Sequence, residues 1–304
     1  VFYDALLPAV APPEKRDLVS GRGFAAGYVG GGLQFAMSLA LIMFHESLGL
    51  SKGEAARVAM SFAGLWWGGF ALITLFILKE PPGEGNGGAR SLPSLSSLGA
   101  GVRKVLSTLG EIRAHKPLAV FLLAFFFYND GVQTTIFMAT IYGKEELGFS
   151  SSTLMLTLLL IQAVAFGGAL LFSWLAGKAG ARKSLMLCLV VWTLIALYAC
   201  FLTKPWEYFV LGGMVGLVLG GTQSLSRSLY SNLIPAGRSG EFFGYFSSLN
   251  RVSSVGGPFV FGLLTQLTGS ARWAAAALGV FFLTGLIILW LLGKMRTHGA
   301  EGTA

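Results

Sequence analysis

Eight apolar stretches, each about 20–26 residues long, occupy most of this 304-residue chain. A helix of that length crosses about 30 Å of hydrocarbon. Backbone groups in lipid must be satisfied within the segment, so each stretch is expected to be a helix. The spans read as 23–45, 57–78, 117–141, 153–176, 184–203, 207–232, 242–266 and 273–293. Charged residues are only 12% of the chain, about half the share a soluble domain carries, and cannot cover it with a polar surface. The net charge of +8 is spread over the short loops between spans, where it sets topology. That pattern excludes a nucleic-acid footprint. Cys188 and Cys200, twelve residues apart in one stretch, are about 18 Å apart on a helix, too far for a disulfide. No Cys/His spacing fits a metal and no cofactor motif is present, so the expectation is a chain without cofactors.

A short segment occurs twice. Tyr3-Asp4-Ala5-Leu6-Leu7-Pro8 matches Tyr230-Ser231-Asn232-Leu233-Ile234-Pro235 at an offset of 227, and Val29-Gly30-Gly31 matches Val255-Gly256-Gly257 at 226. Two parallel repeats are a signature of transporters whose halves rock around a central site. The second copy closes the fourth span of its half, whereas no complete span stands before the first. Subtracting 227 from 117 gives −110, so roughly 110 residues carrying four more spans are expected ahead of Val1.

Lys and Arg residues divide between the two sets of loops fifteen to five. The richer set contains Lys15, Arg16, Lys104, Lys178, Arg182, Lys183 and Arg238; the poorer one contains Lys52, Lys144 and Arg272. The richer set is therefore read as cytoplasmic. Residues 80–97, rich in Gly, Pro and Ser, read as a linker. Leu98, Val102, Val105, Leu106, Leu109 and Ile112 form one helical stripe, read as an amphipathic helix on the membrane surface. The division expected is 1–78 for the end of span 4 with spans 5 and 6, 79–116 for the cytoplasmic linker, 117–296 for a six-helix half and 297–304 for a tail. Trp174, Trp206, Trp273 and Trp290 stand near span ends as interfacial anchors, and Trp66 and Trp67 at mid-span read as packing residues.

Between the fourth and fifth stretches stands Ser173-Trp174-Leu175-Ala176-Gly177-Lys178-Ala179-Gly180-Ala181-Arg182-Lys183. It resembles the loop Gly-x-Leu-Ala-Asp-Arg-x-Gly-Arg-Lys of the major facilitator superfamily, in its weaker copy between spans 8 and 9. Gly177 stands where the acid would be, which argues against a salt bridge at this loop. The resemblance implies an all-α membrane protein of the major facilitator fold, its eight visible helices being spans 5–12 of a 12-span, two-repeat architecture. Phe2–Pro8, Gly23–Gly32, Phe127–Thr134, Gly220–Ser228 and Glu241–Gly244 resemble a narrower branch. That branch is the vacuole-effluxer permease family, bacterial relatives of the yeast autophagy-related vacuolar amino-acid effluxer. It implies export of a small solute, amino acids first, by a monomer in the bacterial cytoplasmic membrane. Without an ATP-binding motif, the driving force must be a solute or proton gradient. The rival class is a receptor or scaffold on a transporter fold. An intramembrane enzyme lacks a catalytic constellation.

An ionisable group at mid-span costs about 2.5–3.5 kcal/mol on insertion scales and needs a cavity or a partner. Asp130, with Asn129, Gln133 and Thr134 around it, and Arg251, with Asn250, lie at similar depth in spans 7 and 11. They are expected to form an ion pair or to serve as a pair of ligands for a zwitterion, and so to act as a structural lock or as a site for solute or proton. Thr222, Gln223, Gln34 and Gln162 are candidates for the cavity wall or for helix–helix hydrogen bonds. Arg227 and Glu241, near one another at the cytoplasmic side, are read as a gate or clamp, with Lys178, Arg182 and Lys183 beside them. Topology is checked by maleimide labelling of Gly148→Cys in a chain with Cys188 and Cys200 replaced. An impermeant reagent should reach it from the outside, and labelling from the cytoplasmic side alone contradicts the charge reading.

Overall fold

A computed structural model describes residues 2–77, 108 and 110–301. Most of the expected linker, and the amphipathic stripe apart from Ile112, lie outside the described residues. The described residues are mostly helical, with no strand among them. Two short helices, α1 (Phe2–Ala5) and α2 (Leu7–Val10), precede α3 (Arg16–Met43) and α4 (Lys52–Ile77). Then come α5 (Lys116–Ile141), α6 (Ser151–Ala179), α7 (Ala181–Ala199) and α8 (Pro205–Ser231). The chain closes with α9 (Ser239–Val252), α10 (Gly256–Thr268) and α11 (Ala271–Glu301). Among the described residues, seven helices are long and apolar enough to cross a membrane. Their number and apolar length are those of a multi-pass membrane protein.

The exception is 242–266, expected as one span and found as two helices. Ser253-Ser254-Val255 separates α9 from α10. Pro258 explains the interruption: its ring would clash with the Ser254 carbonyl, and it has no N–H to donate. Inside a bundle, a break is tolerated only where other groups satisfy the freed backbone. Here α5 supplies them. Asp130 Oδ1 accepts the Gly257 N–H at 2.8 Å, and Asn129 Nδ2 lies 3.3 Å from the Asn250 carbonyl. Ser253 N–H closes back on Leu249 O at 2.8 Å.

Helices α6 and α8 make the closest pair. Gly212, Gly216 and Gly220, spaced by four, lie along one stripe of α8. A Cβ at Gly216 would stand 2.7 Å from Ile161 O, and one at Gly220 would stand 2.2 Å from Ala165 O. Without side chains on this stripe, the backbones meet, which is how helices gain packing energy in lipid. The turn between α6 and α7 is a single residue, Gly180, at φ 87°. That conformation favours glycine and lets the two helices reverse within one peptide. Arg182 just beyond it donates to Leu289 O at 3.3 Å, tying α7 to α11. Lys178 lies over the Trp174 ring at 3.9 Å, and Lys183 is exposed. Trp174, Trp206, Trp273 and Trp290 are all exposed.

Gly220→Val should lower folded yield and thermal stability by about 3 kcal/mol or more, since the clash is with backbone. Gly213→Ala, which meets nothing within 4 Å, should be neutral. Equal unfolding midpoints for the two variants in detergent would show that the stripe does not set the approach.

Candidate functional site

Two open cavities among the described residues bear on function. The larger, about 1050 Å³, is walled by α1, α3 and α4 on one side and by α5, α8 and α9 on the other. Its polar wall is made of Gln34, Asn129, Gln133, Thr222, Gln223, Ser226, Ser247 and Asn250, and its aromatic wall includes Trp66, Trp67 and Phe70. The smaller, about 580 Å³, lies toward the other helix ends, where Tyr142, Leu202 and Tyr208 line it. Gly31, Gln34 and Gln223 belong to both walls. At this shared level Tyr28 Oη donates to Gln223 Oε1 at 2.8 Å, joining α3 to α8.

The amides on α5 and α9 form one cluster. Asn129 Nδ2 lies 3.0 Å from Asn250 Oδ1 and 2.7 Å from Ser253 Oγ, and Gln133 Nε2 donates to Asn250 Oδ1 at 3.2 Å. Asn250 Oδ1 is thus occupied twice, which leaves its amide N–H groups available to a solute. The Trp192 indole donates to Thr222 Oγ1 at 3.0 Å, and Tyr128 Oη and Ser226 Oγ are 2.8 Å apart. Gln34 donates to Ser38 on its own helix at 2.8 Å. Gln162 lies on the smaller chamber's wall, against Gly31 of α3.

The sequence places Asp130 and Arg251 at one depth, but the structure does not pair them. Asp130 is buried and caps Gly257, while Arg251 is exposed on α9. Depth along a helix is legible in a sequence. Azimuth is not, once Pro258 breaks the helix that carries one partner. Neither residue lines either cavity. A Cβ at Gly257 would stand 1.9 Å from Thr134 Oγ1 and 2.7 Å from Asp130 Oδ1, so this close approach requires glycine.

Arg227 is 3% exposed and holds the floor of the larger cavity. Its Nη1 reaches Asp4 Oδ1 at 3.1 Å, its Nε donates to Ser20 Oγ at 2.9 Å, and its Nη2 donates to Ser20 O at 3.0 Å. The guanidinium also faces the Phe24 ring at 4.7 Å and the Tyr3 ring at 5.0 Å. Every one of these partners comes from residues 3–24. Two more bonds lie beside them: Ser20 Oγ to Ser224 O at 2.7 Å, and Arg16 Nη1 to Ser231 O at 2.7 Å. Glu241 acts elsewhere, bonding Arg238 at 2.9 Å and Thr108. Arg238 also pairs with Glu111. The carboxylates of Glu111 and Glu241 hold the Arg238 pKa above its ordinary value.

Sequence reasoning missed Tyr28, Asp4 and Ser20 as partners. Asp4 sits in the repeated segment and Tyr28 in the glycine-rich stretch, so both had a local signal. Their partners, 223 and 195 positions away, had none.

The family profile described as "Vacuole effluxer Atg22 like" matches residues 10–300. An uncharacterized MFS-type transporter of Bacillus subtilis, YxiO, is 34% identical over 95% of this chain and 66% of its own length. Autophagy-related protein 22-2 of Emericella nidulans is 27% identical over 91% of this chain and 51% of its own. Autophagy-related protein 22 of Yarrowia lipolytica is 29% identical over 91% of this chain and 50% of its own. The chain thus spans about half to two-thirds of these relatives' lengths. Among solved structures, the Escherichia coli fucose:proton symporter shares the fold, with a TM-score of 0.59 at 15% identity, covering 95% of this chain and 72% of that one.

Asp130→Ala should cost about 1–3 kcal/mol, because it leaves a buried N–H unsatisfied. Asp130→Asn keeps an acceptor oxygen and should cost less. Arg251→Gln should neither worsen nor rescue either variant. Thermal unfolding of the single and double variants checks this, and recovery of stability in Asp130→Asn/Arg251→Gln would show that the two residues are coupled.

Proposed function

We propose, for a chain that belongs to the Atg22-like vacuole effluxer family, the role of a secondary transporter for a small polar solute. Amino acids are the first candidates, exported across the cytoplasmic membrane of a bacterium by alternating access. The observation that carries this reading is the larger cavity. It lies between residues 3–74 and 125–250 and is walled by amides, hydroxyls and rings. The polar contacts joining the two sides run from Arg227 up to Tyr28. Asp4 and Arg227 neutralise each other at 3.1 Å, so the wall suits a solute without net charge, a zwitterion included. Membership of a family named for vacuole effluxers supports efflux. Protons are the candidate coupling ion.

In this reading α9 and α10 together make one interrupted crossing, giving eight, in the places of spans 5–12 of a two-repeat plan. The 227-residue offset supports it: Arg16, the first residue of α3, plus 227 falls at 243, inside α9. The basic end of the bundle, with Lys178, Arg182 and Arg238, is then cytoplasmic. Arg227 closes that end, while the smaller chamber lies toward the outside.

Counterflow in proteoliposomes tests the proposal. Protein loaded with unlabelled amino acids should accumulate labelled ones transiently. Asn250→Ala should reduce that signal by roughly tenfold, the value of one or two lost hydrogen bonds. Solute binding without counterflow would favour a receptor on a transporter fold.

A further inference from the structure

We infer that the smaller chamber is a binding site in its own right, for an uncharged amphiphile with a rigid apolar body and one hydrogen-bonding head. Its volume, about 580 Å³, falls in the range of pockets that enclose drug-sized ligands, and is far more than an amino-acid side chain fills. Phe35, Met138, Ile161, Leu211, Phe261 and Leu278 make apolar walls from six helices. The wall hydroxyls are turned away from a ligand. Thr135 donates to Gly131 O at 2.8 Å, Thr157 to Thr153 O at 2.8 Å, Tyr142 to Ala199 O at 2.6 Å and Tyr208 to Ala139 O at 3.0 Å. Their donors are spent on backbone, so the walls recognise shape and apolar surface alone.

Polarity is confined to the floor, where Gln34 and Gln162 adjoin the Tyr28–Gln223 bond. Gln34 donates its amide to Ser38 and keeps its carbonyl for a ligand. Gln162 makes no hydrogen bond among the described residues. Among the described residues no charged side chain lines the chamber, so a charged solute would lose its hydration there without compensation from them. A neutral body with a hydroxyl or N–H at one end satisfies both zones: rings against the walls, head on the amides. This inference is independent of the solute taken by the larger cavity, because binding is read without transport.

The probe is 4-hydroxybenzophenone, photolysed with the protein in phosphatidylcholine proteoliposomes, with adducts mapped by peptide mass spectrometry. Labelling should saturate and centre on Met138, since excited benzophenones favour C–H bonds beside a thioether. Decahydronaphthalen-2-ol, an alicyclic alcohol with no photoreactive group, should compete it away. Leu158→Trp and, separately, Ile161→Phe fill the chamber and should each cut labelling roughly tenfold. Gln162→Leu should weaken labelling by the hydroxylated probe and spare that by unsubstituted benzophenone. Adducts that never saturate, that fall only on lipid-facing Phe137 and Leu283, or that resist the alicyclic competitor in the wild-type protein, overturn the inference. Competition in the wild type decides the matter even if both filling variants fail to fold.

Discussion

Arg227 carries its guanidinium into the buried floor of the larger cavity, and the arrangement around it depends on how that charge is satisfied. In place of its hydration the chain supplies Asp4, Ser20 and the rings of Tyr3 and Phe24. All of them come from one end of the sequence, so burying the cation forces residues 2–24 against α8. Removing one partner of a fully buried pair costs about 3–5 kcal/mol in soluble proteins, and less where one partner is a third exposed, as Asp4 is. The pairing therefore specifies an arrangement more than it adds stability. It also fixes the floor of the larger cavity.

The same rule governs the break between α9 and α10. A proline interrupts the helix, and the freed N–H and C=O groups must find partners in the bundle. Asp130 and Asn129 on α5 provide them, which makes α5 the support of a discontinuous segment. Asn250, at the end of α9, is thereby held at the cavity wall with Gln133 and Asn129. Glycines at 212, 216 and 220 let α8 lie directly on α6, which sets the depth at which Gln223 and Thr222 meet the cavity. Packing, capping and cavity chemistry thus share a few residues.

Much of this was legible in the sequence. Seven of eight expected spans appear at their expected places because apolar length alone decides them. The basic loop at 177–183 forms a tight turn on Gly180, and seven of the nine polar candidates line a cavity. The interruption before Pro258 was not read from the sequence, because the apolar length of 242–266 suits one continuous span and gives no measure of how far a helix opens. The expected pairing of Asp130 with Arg251 failed for the same reason: a sequence gives the depth of a charge, whereas its direction around the axis depends on the break. Trp66 and Trp67, read as packing residues, line the larger cavity, and Trp67 is 77% exposed. Local hydrophobicity cannot separate an aromatic that fills a core from one that faces a void.

The central claim is that Arg227 holds the basic end of the bundle closed. The direct test is a distance measurement by double electron–electron resonance. Spin labels would sit at Leu18 on α3 and Ala236 beyond α8, both exposed, with Cys188 and Cys200 replaced. The wild-type chain should give one short-distance population. Arg227→Gln protein that elutes as the wild type should gain a longer one as the two sides part. An unchanged distance distribution in that variant would contradict the claim.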